Sequence, residues 1–238
     1  MKIIEQYHQY LKEANQFKAD KESLINKLPE PLKSYIKKDG YLLPKHLTYV
    51  QLYDLYIDQL RELANYDLMI DDNNRFCIEQ IVLNMNQDPK FKGSFDKGLM
   101  IRGPVGTGKT LLFRGMQKLY DLLGGNIFPI INTYNVTAKY LKIGPDIFYD
   151  IEFNNIFLCK TNNIIFDDIG IESCVKYMGS ESNIIAEIIL RRYTNNLKTN
   201  FSSNLDLLIL KEIYGERVIS RLKEMCNDLI LKGNDRRK

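Results

Sequence analysis

Eight consecutive residues, Gly103-Pro104-Val105-Gly106-Thr107-Gly108-Lys109-Thr110, carry the most specific chemistry in the 238-residue chain. Glycines at 103, 106 and 108 let backbone N–H groups turn inward around a polyphosphate, and a helix that follows adds its positive N-terminal end. Lys109 is placed to reach β- and γ-phosphates, the Thr110 hydroxyl to ligate Mg²⁺, and Leu111 continues the loop into the helix. The flanks fit this use. Leu99-Met100-Ile101 reads as a buried strand before the loop, and Leu111, Leu112, Met116, Leu119, Tyr120 and Leu123 follow at helical spacing. A glycine loop between a strand and a helix is the context in which this motif binds a nucleoside triphosphate.

Three further groups fit the same chemistry. Ile164-Ile165-Phe166-Asp167-Asp168 is an apolar strand ending in two acids. Asp167 is placed to hold Mg²⁺ opposite Thr110, and Asp168 to polarise an attacking water as a general base. Ser202-Ser203-Asn204 ends another apolar run. The Asn204 amide suits contact with both water and γ-phosphate, with Ser203 as the alternative; taken alone, the triplet also reads as a helix cap. Arg217 and Arg221 lie four apart, hence on one helix face. A planar, permanently charged fork suits a phosphate, and an arginine supplied in trans completes hydrolysis in many such ATPases. The same spacing also fits a surface ion pair of Arg221 with Glu216 or Glu224.

The elements that must position these groups alternate. Strands are expected at 99–102, 127–132, 164–166, 199–203 and 229–231. Helices are expected at 109–123, stopped by Gly124-Gly125, at about 135–142, 146–158 and 181–197, and at roughly 205–214 and 216–224. That alternation predicts an α/β domain with a parallel five-stranded sheet covered on both faces. Ligands bind such sheets at the carboxyl ends of the strands, where Gly103, Asp167 and Asn204 fall.

Residues 1–90 read differently, as a small all-helical module. Ile3, Tyr7, Tyr10, Ala14 and Phe17 make one helix face, broken by Pro29 and Pro31. Thr48 is placed to cap a second helix with the face Leu52, Tyr56, Leu60 and Leu63. A third carries Phe76, Ile78, Ile81, Val82 and Met85, with Asp88-Pro89 ending it. The domain boundary is accordingly expected near residue 90, dividing 1–90, a partner-binding module, from 91–238. Charge divides in the same way: the first segment is net −2 and the second net +5, compatible with a nucleic-acid partner. No run approaches 18 apolar residues, so no membrane span is expected. The chain start, Met1 to Gln6, has no apolar signal core. Four scattered cysteines and two histidines imply reduced thiols, a cytoplasmic location and no zinc site.

The order GPVGTGKT, IIFDDIG, SSN, GERVISR resembles the AAA+ ATPases of the bacterial helicase-loader group, of the DnaC and DnaI type, and is similar also to IstB-type transposition helpers. Asp-Asp-Ile-Gly at 167–170 and Gly-Glu-Arg…Ser-Arg are the specific parts, and the likeness covers about residues 92–238. It implies that Lys109 and Thr110 bind ATP and Mg²⁺, that Asp167 and Asp168 are the Walker B acids, and that Asn204 is sensor 1. It also implies that Arg221 is the arginine finger with Arg217 beside it, and that Arg237, rather than Arg236, is sensor-2-like. Aspartate in place of glutamate at 168 has a shorter reach and implies slow hydrolysis. The 17 residues after Arg221 are too few for a C-terminal lid domain. The function implied is loading a replicative helicase onto single-stranded DNA as an ATP-dependent homo-oligomer. The alternatives are an IstB-like helper of a transposase and a P-loop small-molecule kinase.

Overall fold

In the computed structural model, residues 44–123, 128–148, 158–160, 162–172, 175–177 and 180–237 are described. The helix expected at 1–28, the Gly124-Gly125 stop, residues 149–157 of the helix expected at 146–158 and Cys174 lie outside them; Gly144–Phe148 is a short 3₁₀ turn.

Five parallel strands form the central sheet: β1 (Gly98–Arg102), β2 (Ile130–Asn132), β3 (Ile164–Asp167), β6 (Thr199–Ser203) and β7 (Cys226–Ile230), in the order β2-β3-β6-β1-β7. A short antiparallel hairpin, β4 (Val175–Tyr177) and β5 (Ser180–Ser182), follows β3 and was not anticipated. Side chains alternate across the sheet with period two. Leu99, Ile101, Ile165 and Leu229 enter one apolar cluster, while Met100, Ile164, Phe166 and Phe201 enter the other. Phe166 and Phe201 stack on neighbouring strands with ring centroids 5.9 Å apart.

Helices α1 (Tyr49–Leu63), α2 (Arg75–Asn86) and α3 (Lys109–Leu122) fill the first cluster. Helices α4 (Thr133–Ile143), α5 (Ile184–Thr194), α6 (Leu207–Tyr214) and α7 (Glu216–Met225) fill the second. The expected α/β architecture with a parallel five-stranded sheet is therefore present. No helix follows β7 in residues 231–237.

The first helices show how local sequence and packing combine. Thr48 caps α1 in a capping box: its hydroxyl accepts from the Gln51 N–H at 3.3 Å, and the Gln51 side chain accepts from the Thr48 N–H at 3.0 Å. Leu52, Tyr56 and Leu60 then point into the core. They meet α3 at Gly115, where an added Cβ would lie 2.5 Å from Leu60 Cδ2, and the Tyr56 hydroxyl donates to the Leu112 carbonyl at 2.8 Å. The boundary expected near residue 90 thus does not coincide with a break in packing. Both described helices before it share one core with α3 and the sheet.

Other differences are local. Helix α5 begins at Ile184, because Ser180–Ser182 pair as a strand instead. Strand β7 starts at Cys226, three residues earlier than the apolar pattern implies. Its polar residues find partners there: Asn227 donates to the Ser94 and Gly98 carbonyls, and Asp228 accepts a two-pronged bond from Arg102 at 2.8 and 2.6 Å. Of the face Phe76, Ile78, Ile81, Val82 and Met85, all but Phe76 are buried.

Cys77, Cys159 and Cys226 are buried and free, and burial pushes the Cys77 thiol up to about 12, so it serves packing. Among the described residues no helix is long and apolar enough to cross a membrane.

Candidate nucleotide site

A cleft of about 450 Å³ opens at the carboxyl ends of β1, β3 and β6. Val105, Gly106, Gly108, Lys109, Thr110 and Leu111 line one side, Asp168 and Asn204 another, and Arg237 the rim. Gly106 at φ 78° and Gly108 at φ 103° adopt backbone conformations that L side chains rarely take, which lets the loop wrap the cleft. Gly103 and Pro104 lie just outside, where their carbonyls accept from the Lys109 ammonium, each at 2.8 Å. Thr107 holds the loop shut by donating to the Pro104 carbonyl at 2.9 Å. Burial lowers the Lys109 pKa, against the opposing pull of Asp168 and Asp167.

The two acids separate in environment. Asp167 is buried and accepts from Thr110 Oγ1 at 2.9 and 3.0 Å and from Ser202 Oγ at 2.5 Å. Asp168 turns into the cleft through a left-handed conformation, φ 59°, that aspartate tolerates better than most residues. Its backbone N–H donates to Ser202 Oγ at 2.8 Å, and its carboxylate accepts from Asn204 Nδ2 at 3.2 Å. Burial raises its pKa, the Asp167 charge adds to the rise, and Lys109 and Asn204 oppose it. A carboxyl raised in this way beside a polarised cleft is a candidate general base.

One hydroxyl and one carboxylate, touching each other, are a hard oxygen pair suited to Mg²⁺, which takes one or two carboxylates together with substrate phosphates. Among the described residues no group of three or more His, Cys, Asp or Glu is placed to hold a metal; Thr110 and Asp167 are a candidate pair for Mg²⁺.

Asn204 and Ser203, the alternatives at the end of β6, resolve clearly. Ser203 is buried, donating to the Ile169 carbonyl at 2.8 Å and accepting from the Leu205 N–H at 3.1 Å within a turn, while the cap of the following helix is Asp206. Asn204 alone lines the cleft.

Arg217 and Arg221 are not among the cleft-lining residues of this chain. Arg221 lies over the Tyr193 ring, 4.5 Å from its centroid, and donates to the Tyr193 hydroxyl at 3.1 Å and to Glu224 at 2.7 Å. The surface ion pair weighed from spacing is thus present with Glu224, while Glu216 pairs with Lys211. Arg217 is exposed and borders a separate cavity with Phe148 and Cys159.

Sequence reasoning missed three contributors. Leu63, Ala64, Asn65 and Tyr66, at the end of α1, form a wall of the cleft, because α1 packs on α3 beside the loop. Ser202 bridges both acids; the signal was its place opposite the end of β3, since Phe166 pairs with Phe201. The chain after β7 is the third. Its Arg236 N–H donates to the Gly106 carbonyl at 3.0 Å, and its guanidinium grips Asp71 at 2.8 and 2.9 Å. Arg237, paired with Asp235, lines the cleft.

This strap predicts a penalty at Gly106. An added Cβ there would stand 2.1 Å from the Asp235 carboxyl, on a backbone that already disfavours it. Gly106→Ala is expected to lower the melting temperature by about 3–6 °C and to weaken nucleotide binding about tenfold, read by calorimetry and titration. An unchanged melting temperature would show that the strap is free to move aside.

The fold has known counterparts. The crystal structure of the DnaC helicase loader superposes with a TM-score of 0.51 at 25% identity, over 74% of this chain and 98% of that one. The structure of DnaI matches with a TM-score of 0.51 at 21% identity, over 75% of this chain and 93% of that one. No protein-family model and no curated protein matches the sequence.

Proposed function

We propose, from the premise that this is an AAA+ chain of the DnaC/DnaI type, that it binds and hydrolyses ATP and loads a replicative helicase onto single-stranded DNA. The observation that carries the reading is the gathering of Thr110, Asp167, Asp168 and Asn204 around one glycine-loop cleft, in a fold shared with a helicase loader.

In this reading Lys109 exchanges the Gly103 and Pro104 carbonyls for phosphate oxygens, and the loop N–H groups hold the phosphates. Thr110 and Asp167 would hold Mg²⁺, which would supply charge neutralisation for the phosphates. Asp168 accepts a proton from the attacking water, and Asn204, already bonded to it, orients that water. Arg237 faces the cleft from the strap. Arg221 acts on the neighbouring subunit's nucleotide in a homo-oligomer formed with ATP. The partner-docking role read for residues 1–90 then falls on residues before 44 together with the outer faces of α1 and α2, where Val50 and Phe76 are exposed.

Nucleotide titration tests the first half. Lys109→Ala is expected to lose ATP affinity by about 100-fold, the value of a buried charge-assisted contact set; unchanged affinity would refute the cleft assignment. Co-purification with the replicative helicase of the same cell, with and without ATP, tests the second half. A complex that forms in neither condition would overturn the loader reading.

A further inference from the structure

One buried carboxyl beside the nucleotide cleft has no part in the scheme above. Glu172 lies five residues beyond Asp167, on the turn that carries Asp168, and is 7% exposed. One of its oxygens accepts from the Gly170 N–H at 2.9 Å, and the other accepts from the hydroxyl of Tyr214. Burial pushes its pKa up, with the Tyr214 hydrogen bond as the largest opposing influence. A buried carboxyl is costly unless its hydrogen-bond partners are retained.

The partner's place in the chain is what gives the pair meaning. Tyr214 is the last residue of α6, and Gly215, at φ 84° with open space around its Cβ position, is the joint to α7. Helix α7 carries Arg217 and Arg221. The turn at the other end of the bond is equally well tied. The Thr133 hydroxyl donates to the Asp168 carbonyl at 2.9 Å, the Ile169 N–H to the Ser202 carbonyl at 2.9 Å, and Ser203 Oγ to the Ile169 carbonyl at 2.8 Å. The backbone turn from Asp168, in this chain's own cleft, to Gly170 is therefore tied through Glu172 to Tyr214, next to the joint that aims α7.

We propose that the Glu172–Tyr214 hydrogen bond is a positioning device that couples the Asp168 turn to the Arg221 helix, so that the state of one subunit's nucleotide site sets the aim of the arginine it offers to its neighbour. The proposal rests on the reading of Arg221 as acting in trans. Arg221 stands seven residues beyond Tyr214, roughly 10 Å along the helix. A small tilt at Gly215 is thus enlarged at the guanidinium, and a misplacement of about 1 Å at a reacting centre costs about 10²-fold in rate. Glu172 and Tyr214 touch no substrate in this account; they act through α7.

The test is ATP hydrolysis by the full chain in mixed assemblies. Tyr214→Phe keeps the buried ring and removes only the donor; Glu172→Gln keeps the side-chain size and leaves one acceptor for Tyr214. Tyr214→Phe alone is expected to hold KM for ATP within about twofold and to lower kcat about tenfold, with Glu172→Gln lower than the unaltered chain but less affected. The decisive readout is doping. Subunits carrying Asp168→Asn, which offer an arginine but do not hydrolyse, are mixed into unaltered protein, alone or combined with Tyr214→Phe, Glu172→Gln or Arg221→Ala.

If the pair aims Arg221, the Tyr214→Phe and Glu172→Gln dopants depress their neighbours' hydrolysis beyond Asp168→Asn alone, toward the level of the Arg221→Ala dopant. If both match Asp168→Asn alone while the Arg221→Ala dopant is more inhibitory, the coupling is refuted and the trans arginine stands. If the Arg221→Ala dopant is itself no more inhibitory than Asp168→Asn, the reading of Arg221 fails, and the coupling with it. Glu172→Gln supplies the same comparison should Tyr214→Phe lose its fold.

Discussion

Arg221→Ala is expected to bind ATP as tightly as the unaltered chain and to hydrolyse it about 10³-fold more slowly, because an arginine supplied in trans neutralises charge that develops only in the transition state. The structure explains why binding should survive. Arg221 is absent from the cleft wall, and its partners are Tyr193 of α5 and Glu224 of its own helix. Stability should survive too. The Arg221–Glu224 pair lies at the surface, where water screens the charges and such pairs contribute little. Losing the stacking over Tyr193 adds a similar amount at an exposed site. Nucleotide titration, single-turnover hydrolysis and a melting curve together check the prediction. Hydrolysis at the ordinary rate would move the finger assignment to another residue, of which Arg217 is the obvious candidate because it is on the same helix and exposed.

Asp168→Asn should separate activity from stability in opposite directions. Removing a general base costs about 10²–10⁴-fold in the hydrolytic step, while the carbonyl of asparagine still accepts from Asn204 and the left-handed backbone at 168 suits asparagine as well as aspartate. Stability follows from the direction of the pKa shift. Burial and the neighbouring Asp167 charge raise the Asp168 pKa in the folded chain. The protonated form is therefore favoured by folding. Its stabilising contribution is complete below the unfolded pKa and is lost as pH rises through the folded one. At neutral pH the ionised Asp168 opposes folding, so Asp168→Asn is expected to melt at a higher temperature than the unaltered chain. The gap should close as pH falls and Asp168 takes up its proton. A variant that melts lower at neutral pH, or a gap that widens in acid, would contradict the burial of charge at this position.

Both expectations rest on groups that were legible from local pattern. The glycine loop announces itself because its function needs specific residue types at consecutive positions, and the Asp167-Asp168 pair because a buried strand must end where its acids emerge. The parallel sheet was legible for the same reason: apolar runs of strand length alternate with 3.6-residue periodicity. Strand β7 was the least legible strand, since Asn227 and Asp228 break its apolar run and are satisfied by Ser94, Gly98 and Arg102, more than a hundred residues away.

The same limit applies to the site. That Asn204 rather than Ser203 faces the cleft depends on which way the end of β6 turns. That Ser202 holds both acids depends on the parallel register between β3 and β6. Residues 63–66 border the cleft only because Gly115 lets α1 settle onto α3, and Arg237 reaches it only because Arg236 is anchored to Asp71.

The sequence by itself thus determined the chemistry proposed: a candidate phosphate loop, a hydroxyl and an acid fit for a metal, a candidate base, and an arginine pair on a helix. It determined these because each is written in residues close together along the chain, where spacing alone decides which groups share a face or a turn. Only the tertiary structure decided which of them meet. It brought Asp168 and Asn204 to the loop and left Arg221 outside it. It tied the Asp168 turn to the Arg221 helix through Glu172 and Tyr214, 42 residues apart. Contacts of that kind are set by strand register and by the docking of whole helices, and no local periodicity records either.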